Sequence, residues 1–164
     1  MTMRCVDLTD VEKRLPNSLF DYLSRVDHIF ISSKIESVEQ IDFIKSLGVT
    51  AVIDLKCRDE VDFNDEKEFL GVGIEYKNIP ISGVCDFTQK NIQEFSELIK
   101  NSKGKILLYC KSGNRAVALL TLNSCLVCGH PKKRALEIRE KLDFENTDLQ
   151  KSVKQIIENG RLDN

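Results

Sequence analysis

The chain has no tryptophan, only two histidines and only three prolines among its 164 residues. So few prolines, with no repeat or low-complexity tract, leave nothing that reads as a linker. One domain over residues 1–164 is expected, with residues 1–16 a less regular N-terminal segment. His28 and His130 stand apart, and Cys125 with Cys128 has no second Cys/His pair to complete a zinc site. No metal and no cofactor is therefore expected. The formal net charge is −2, which sets up no global basic field for nucleic acid or anionic lipid. The aromatic residues do not interleave with a basic stripe either, so no nucleic-acid partner is expected. No apolar run approaches the roughly 18–20 residues that span a bilayer, so no membrane partner is expected. Met1, Thr2, Met3, Arg4 and Cys5 put charge and polarity where a signal peptide has its apolar stretch, which predicts a cytoplasmic protein. In that compartment the six cysteines are expected as free thiols.

What is present is an alternation of apolar patterns. His28-Ile29-Phe30-Ile31 reads as a strand. Ser37 and Gln40 make a capping box before a helix with Val38, Ile41, Ile44 and Leu47 on its apolar positions, and Gly48 ends it. Residues 49–55 are β-branched and continuous, the mark of a buried strand. The charged stretch 58–68 suggests a surface loop and a short helix, and residues 74–81 a third strand. Thr88 caps a helix with Ile92, Phe95, Leu98 and Ile99 on one stripe. Lys105–Tyr109 is another buried strand, and residues 116–127 an almost wholly apolar helix with Gly129 beyond its end. Pro131 suits the first position of the next helix, and Thr147 with Gln150 forms a second capping box. Strands alternating with helices predict an α/β fold with a central, mostly parallel sheet of about four to five strands flanked by helices. Ligands of such sheets bind beyond the carboxyl ends of the strands.

The loop at such an end is Cys110-Lys111-Ser112-Gly113-Asn114-Arg115. A sulfur at a helix N-terminus feels the positive end of the macrodipole and several unpaired N–H groups. Together with Lys111 and Arg115 these favour a thiolate at Cys110. The same N–H groups can cradle a tetrahedral oxyanion. Gly113 lets the backbone turn close to a ligand, and the forked guanidinium of Arg115 can hold two oxygens. Ser112 is placed to hydrogen-bond the sulfur and help it leave. Lys111, Ser112, Gly113, Asn114 and Arg115 are thus the expected substrate-binding residues, with Cys110 and Arg115 catalytic. A buried cysteine before an ordinary strand-to-helix turn is the plainer alternative.

On these residues, with Tyr109 ahead of them, the chain resembles the phosphatase-like domain of beta-lactamase-hydrolase-like proteins, of the DUF442 type. That domain belongs to the cysteine-based tyrosine and dual-specificity phosphatase superfamily and often carries Cys-x-Ser-Gly-x-Arg. Residues 25–33 resemble the family's first strand, 37–55 its helix and second strand, and 76–82 its third strand. The likeness covers roughly residues 17–158. It implies a (phosphotyrosine phosphatase)-like fold, a phosphocysteine intermediate and a phosphorylated small molecule or protein as substrate. Asp86, after the third strand, is the residue the resemblance suggests as proton donor, although it also suits the turn before the Thr88 helix. Asp54, at a strand end, is an alternative supporting carboxylate.

The chain departs from the family at Ser33-Lys34, where Gly-Gln is common. Ordinary tyrosine phosphatases have His before the nucleophile and five residues before the arginine; here Tyr109 precedes Cys110 and four residues intervene. Rhodanese sulfurtransferases are similar at the same loop, and residues 52–56 with Glu60 resemble a rhodanese strand. A sulfurtransferase carrying a Cys110 persulfide is therefore the second expectation. A non-catalytic domain that binds an oxyanion or a partner is the third.

Overall fold

The computed structural model describes residues 5–60 and 63–160. Six strands form one sheet in the order β1-β2-β3-β6-β4-β5. They are β1 (Val11–Glu12), β2 (Leu23–Val26), β3 (Ile29–Ser32), β4 (Val49–Asp54), β5 (Glu75–Asn78) and β6 (Lys105–Tyr109). β3, β6, β4 and β5 are parallel, whereas β1 and β2 join antiparallel at one edge. The sheet is thus mixed and wider than the four to five strands expected. The added strands lie in the weakly patterned first 26 residues, where β1 is only two residues long. A two-residue turn, Asp27-His28, links β2 to β3, with Val26 opposite Ile29. Asp27 takes a left-handed φ of 54° there, as such tight hairpins require. His28 therefore belongs to the turn and not, as its apolar neighbours suggest, to the strand.

Two apolar cores sandwich the sheet. On one face α1 (Val38–Ser46) and α2 (Asp65–Gly71) cover a cluster with Ile41, Ile44, Val52, Phe69 and Leu107. The Ser37–Gln40 capping box opens α1 as the sequence indicates. On the other face lie α3 (Gln89–Asn101), α4 (Asn114–Leu126), α5 (Lys132–Lys141) and α6 (Asp148–Asn159). α4 packs against β3 and β6 and is surrounded by α3, α5 and α6. It is buried without a break from Ala116 to Ser124, the fate of a helix that is apolar all round. Pro131 stands just ahead of α5 as its capping residue, one position earlier than expected.

The parallel register places the functional loops. Tyr109 is level with Ser32 on one side and Asp54 on the other, and Asp54 is level with Asn78. The four strands therefore end in one row. The segments leaving them, starting at residues 33, 55, 79 and 110, emerge together at the carboxyl edge.

Candidate active site

The 110–115 loop is stitched to both neighbouring strand ends. The Cys110 N–H donates to the Ser32 carbonyl (3.4 Å), and the Leu55 N–H to the Tyr109 carbonyl (3.0 Å). The Lys34 N–H donates to the Lys111 carbonyl (3.1 Å). Cys110 is fully buried at the base of the loop. Its Sγ accepts a hydrogen bond from the Gly113 N–H (3.1 Å). Ser112, expected to reach the sulfur, instead accepts from the Asn114 N–H through its hydroxyl (3.3 Å). Gly113 has φ 95° and immediately precedes α4, so the loop curls inward on a left-handed residue. A Cβ there would stand 3.0 Å from Cδ1 of Tyr22 and 3.3 Å from Cζ of Phe144. Glycine is required at this position for its conformation and for its lack of a side chain.

Arg115 closes the loop on the first turn of α4. Its Nη1 and Nη2 donate to Oε1 and Oε2 of Glu60, both at 2.7 Å, and Nη1 also donates to the Ile81 carbonyl (2.7 Å). These bonds use three of the five guanidinium N–H groups. The remaining two, on Nε and Nη2, share one edge and have no hydrogen-bond partner among the described residues. That edge is a second fork of the kind that grips two oxygens of one anion. Glu60 also accepts from the Cys57 N–H (3.1 Å). Hydrogen bonding to Arg115 lowers its pKa to about 2. The same contact raises the pKa of Arg115. Cys57, Asp59 and Glu60 present their ligating atoms close together, but Glu60 is already committed to the guanidinium.

Asn114 was expected to face a ligand. Its side-chain oxygen instead accepts from Oγ1 of Thr147 (3.1 Å) and Nε2 of Gln150 (2.9 Å), and Nε2 also donates to the Asn114 carbonyl (2.9 Å). The side chain thus fastens the loop to α6. This also explains the second capping box: Thr147 accepts from the Gln150 N–H (3.2 Å), but the fully buried Gln150 side chain reaches Asn114 and not the cap backbone.

Asp86 ends a single 3-10 turn, Val84–Asp86, between β5 and α3. Its Oδ2 accepts from the N–H (2.7 Å) and hydroxyl (2.6 Å) of Ser82. The Ser82 hydroxyl, and after it the Ser82 N–H, hold the carboxyl below its ordinary range. Burial, first, and then the Glu60 carboxylate push the Cys57 thiol up, with Arg115 opposing and Asp86 adding a smaller contribution.

On the α2 face of the sheet is a polar cluster of which the sequence singles out only Asp54. The Tyr109 hydroxyl donates to Oδ2 of Asp65 (2.6 Å), and Lys56 pairs with Asp65 and with Asp54 (3.3 Å). Tyr76 donates to Asp54. Asp54, Lys56, Asp65 and Tyr109 are all buried. Burial, first, raises the pKa of Asp54. Burial followed by the nearby carboxylates raises that of Tyr109, so its phenol stays protonated. Asp54 thus ties β4 to Tyr76 of β5 and to Lys56, while Asp65 is the carboxylate that reaches Tyr109, the residue before the loop.

No protein-family model matches the chain. A beta-lactamase hydrolase-like protein of Xylella fastidiosa is 28% identical over 116 residues, 68% of this chain. The match spans only 26% of that relative's length. Among solved structures, TpbA of P. aeruginosa aligns with a TM-score of 0.68 at 15% identity, covering 89% of this chain and 88% of its own. TpbA has also been solved, as a Cys-to-Ser variant, with phosphotyrosine. A DUF442 protein of Shewanella putrefaciens CN-32 aligns with a TM-score of 0.63 at 16% identity, covering 93% of this chain and 90% of its own. At these identities the likeness establishes the fold, which is the (phosphotyrosine phosphatase)-like α/β fold expected from the sequence.

Proposed function

We propose that this chain, whose fold is that of the cysteine-based phosphatases, is a phosphatase that hydrolyses a phosphoester through a phosphocysteine on Cys110. One observation supports this above the others. Glu60 and Ile81 hold the Arg115 guanidinium in place and leave its Nε/Nη2 edge, on the last residue of the loop, as a fork with no partner among the described residues. Such a fork suits two oxygens of a phosphoryl group, with the α4 N-terminus favouring their negative charge.

In this reading the Cys110 thiolate attacks phosphorus and the ester P–O bond breaks. The leaving oxygen takes a proton from a general acid, and water then attacks the thiophosphate, releasing phosphate and restoring the thiolate. Lys111 and Ser112 contribute loop amides and Arg115 the fork, while the Gly113 amide holds the sulfur and Asn114 fastens the loop to α6. Asp86 is the carboxyl assigned to the proton. Ser82 favours its ionised form, so it serves as the acid only when the negative charge of bound phosphate raises its pKa.

The small loop favours a second reading, a sulfurtransferase. Four residues separate Cys110 from Arg115, and the Gly113 amide already closes on the sulfur at 3.1 Å. Here the thiolate would attack the outer sulfur of thiosulfate, the S–S bond would break and sulfite would leave, giving a Cys110 persulfide that a thiophilic acceptor discharges. The test runs both reactions in parallel: p-nitrophenyl phosphate hydrolysis, and thiocyanate formation from thiosulfate and cyanide. Phosphate release that is lost in Cys110→Ser supports the first reading. Thiocyanate without phosphate release replaces it with the second.

A further inference from the structure

A cleft of about 460 Å³ opens beside the catalytic loop, lined in part by Arg14, Tyr22, Lys34, Lys111, Ser112 and Phe144. Its size falls among small-molecule sites, which span about 300–1,000 Å³. The Tyr22 and Phe144 rings, with centroids 4.9 Å apart at 59°, help to line it. The same two rings back Gly113, so they are shared between the cleft and the loop. Tyr22 is fixed by donating its hydroxyl to the Leu142 carbonyl (3.0 Å). Lys34 is fixed to the loop through its bond to the Lys111 carbonyl. Lys111 joins the two regions, since it lines the cleft and belongs to the 110–115 loop.

The cleft's charge is directional. Arg14, Lys34 and Lys111 face Asp21 and Asp143. Asp143 is already paired with Lys13 (3.0 Å) and approached by Arg14 (3.8 Å). The pairing of Lys34 with Glu36 (3.2 Å) is between exposed groups and weak. The end nearest the loop, where Lys34 and Lys111 sit on joined backbones, is therefore cationic.

We infer that this cleft is a second anion subsite, and that the substrate is a small phosphoester carrying a further anionic group. Its body would lie against Tyr22 and Phe144, with that second group held by Lys34 and Lys111. This rests on the phosphatase reading, because it takes the reacting phosphoryl group to sit in the 110–115 loop.

A ladder of alkanediol bisphosphates from propane to hexane, each paired with its hydroxyalkyl monophosphate, tests it. The expected result is one chain length at which the bisphosphate has a kcat/KM about tenfold or more above its partner, as one additional charged contact provides. In Lys34→Ala the ratio should collapse toward one at that length. Ratios within twofold at every length, or a ratio unmoved by Lys34→Ala, overturn the proposal. Binding to Cys110→Ser, followed by NMR of residues 33–34 and 111–115, separates the two failures. Inorganic phosphate that leaves 111–115 unmoved counts against the phosphatase reading. Phosphate that moves 111–115, with no tighter binding of any bisphosphate, overturns the subsite alone. If no ester is turned over, a bisphosphate that binds more tightly than its monophosphate and moves residues 33–34 still supports the subsite.

Discussion

The guanidinium of Arg115 meets the carboxylate of Glu60 end-on, two hydrogen bonds of 2.7 Å each, although the residues are 55 positions apart. The pair, with the Ile81 carbonyl, fixes the orientation of the guanidinium. Substituting Arg115→Lys keeps the charge but loses both forks. Phosphate affinity, read by NMR titration of residues 111–115, should fall about tenfold or more. Equal affinity would mean that charge alone holds the anion.

The same pair imposes a pH dependence. The Glu60 pKa lies near 2 in the folded chain against an ordinary 4.5, chiefly because of the Arg115 hydrogen bond. A depressed carboxyl stabilises the fold fully above about pH 4.5, and that contribution drains away as pH falls toward 2. Thermal unfolding midpoints of the native chain and Glu60→Gln should therefore differ most above pH 4.5 and converge toward pH 2. A constant gap across that range would remove the ion pair from the account.

Gly113 is under two constraints, a φ of 95° and contact with Tyr22 and Phe144. Gly113→Ala should cost about 1–3 kcal/mol of stability, measured by urea unfolding, from left-handed strain and overpacking together. It should also slow Cys110 alkylation, because the Gly113 amide is the donor to the sulfur. Unchanged stability with unchanged alkylation would contradict the close approach.

Asp86 offers a cleaner distinction between acid and turn residue. If it protonates the leaving oxygen, Asp86→Asn should slow hydrolysis of an alkyl phosphate about 100-fold or more and leave p-nitrophenyl phosphate far less affected. Equal slowing of both would assign Asp86 to the turn, where it accepts from Ser82.

How much of this could be read from the residues depended on how local each cause is. The β6 bounds are those expected, because an unbroken apolar run between a glycine and a polar loop fixes a buried strand by itself. The Ser37–Gln40 box closes within four residues, and its hydrogen bonds form as the pattern indicates. Ser37 and Thr147 begin the same pattern, yet Gln150 turns away to Asn114, because α6 packs on α4 and offers a buried partner. The antiparallel edge strands escaped because neither alternates long enough to register, and Asp27, not glycine, makes the turn from β2 to β3. Glu60 sits in an ordinary charged stretch, Arg58-Asp59-Glu60, and only the parallel register of β4 beside β6 carries it to Arg115. The Cys110–Arg115 spacing was legible; what surrounds it is tertiary.

The central claim is that Cys110 attacks phosphorus. It is tested most directly by rapid acid quench of the native chain during turnover of an aryl phosphate, followed by peptide mass spectrometry. The expected result is a phosphoryl adduct on the peptide containing Cys110, absent from Cys110→Ser and diminished in Arg115→Lys. No adduct with phosphate esters, but a persulfide on the same peptide after thiosulfate, would contradict the claim and assign the loop to sulfur transfer.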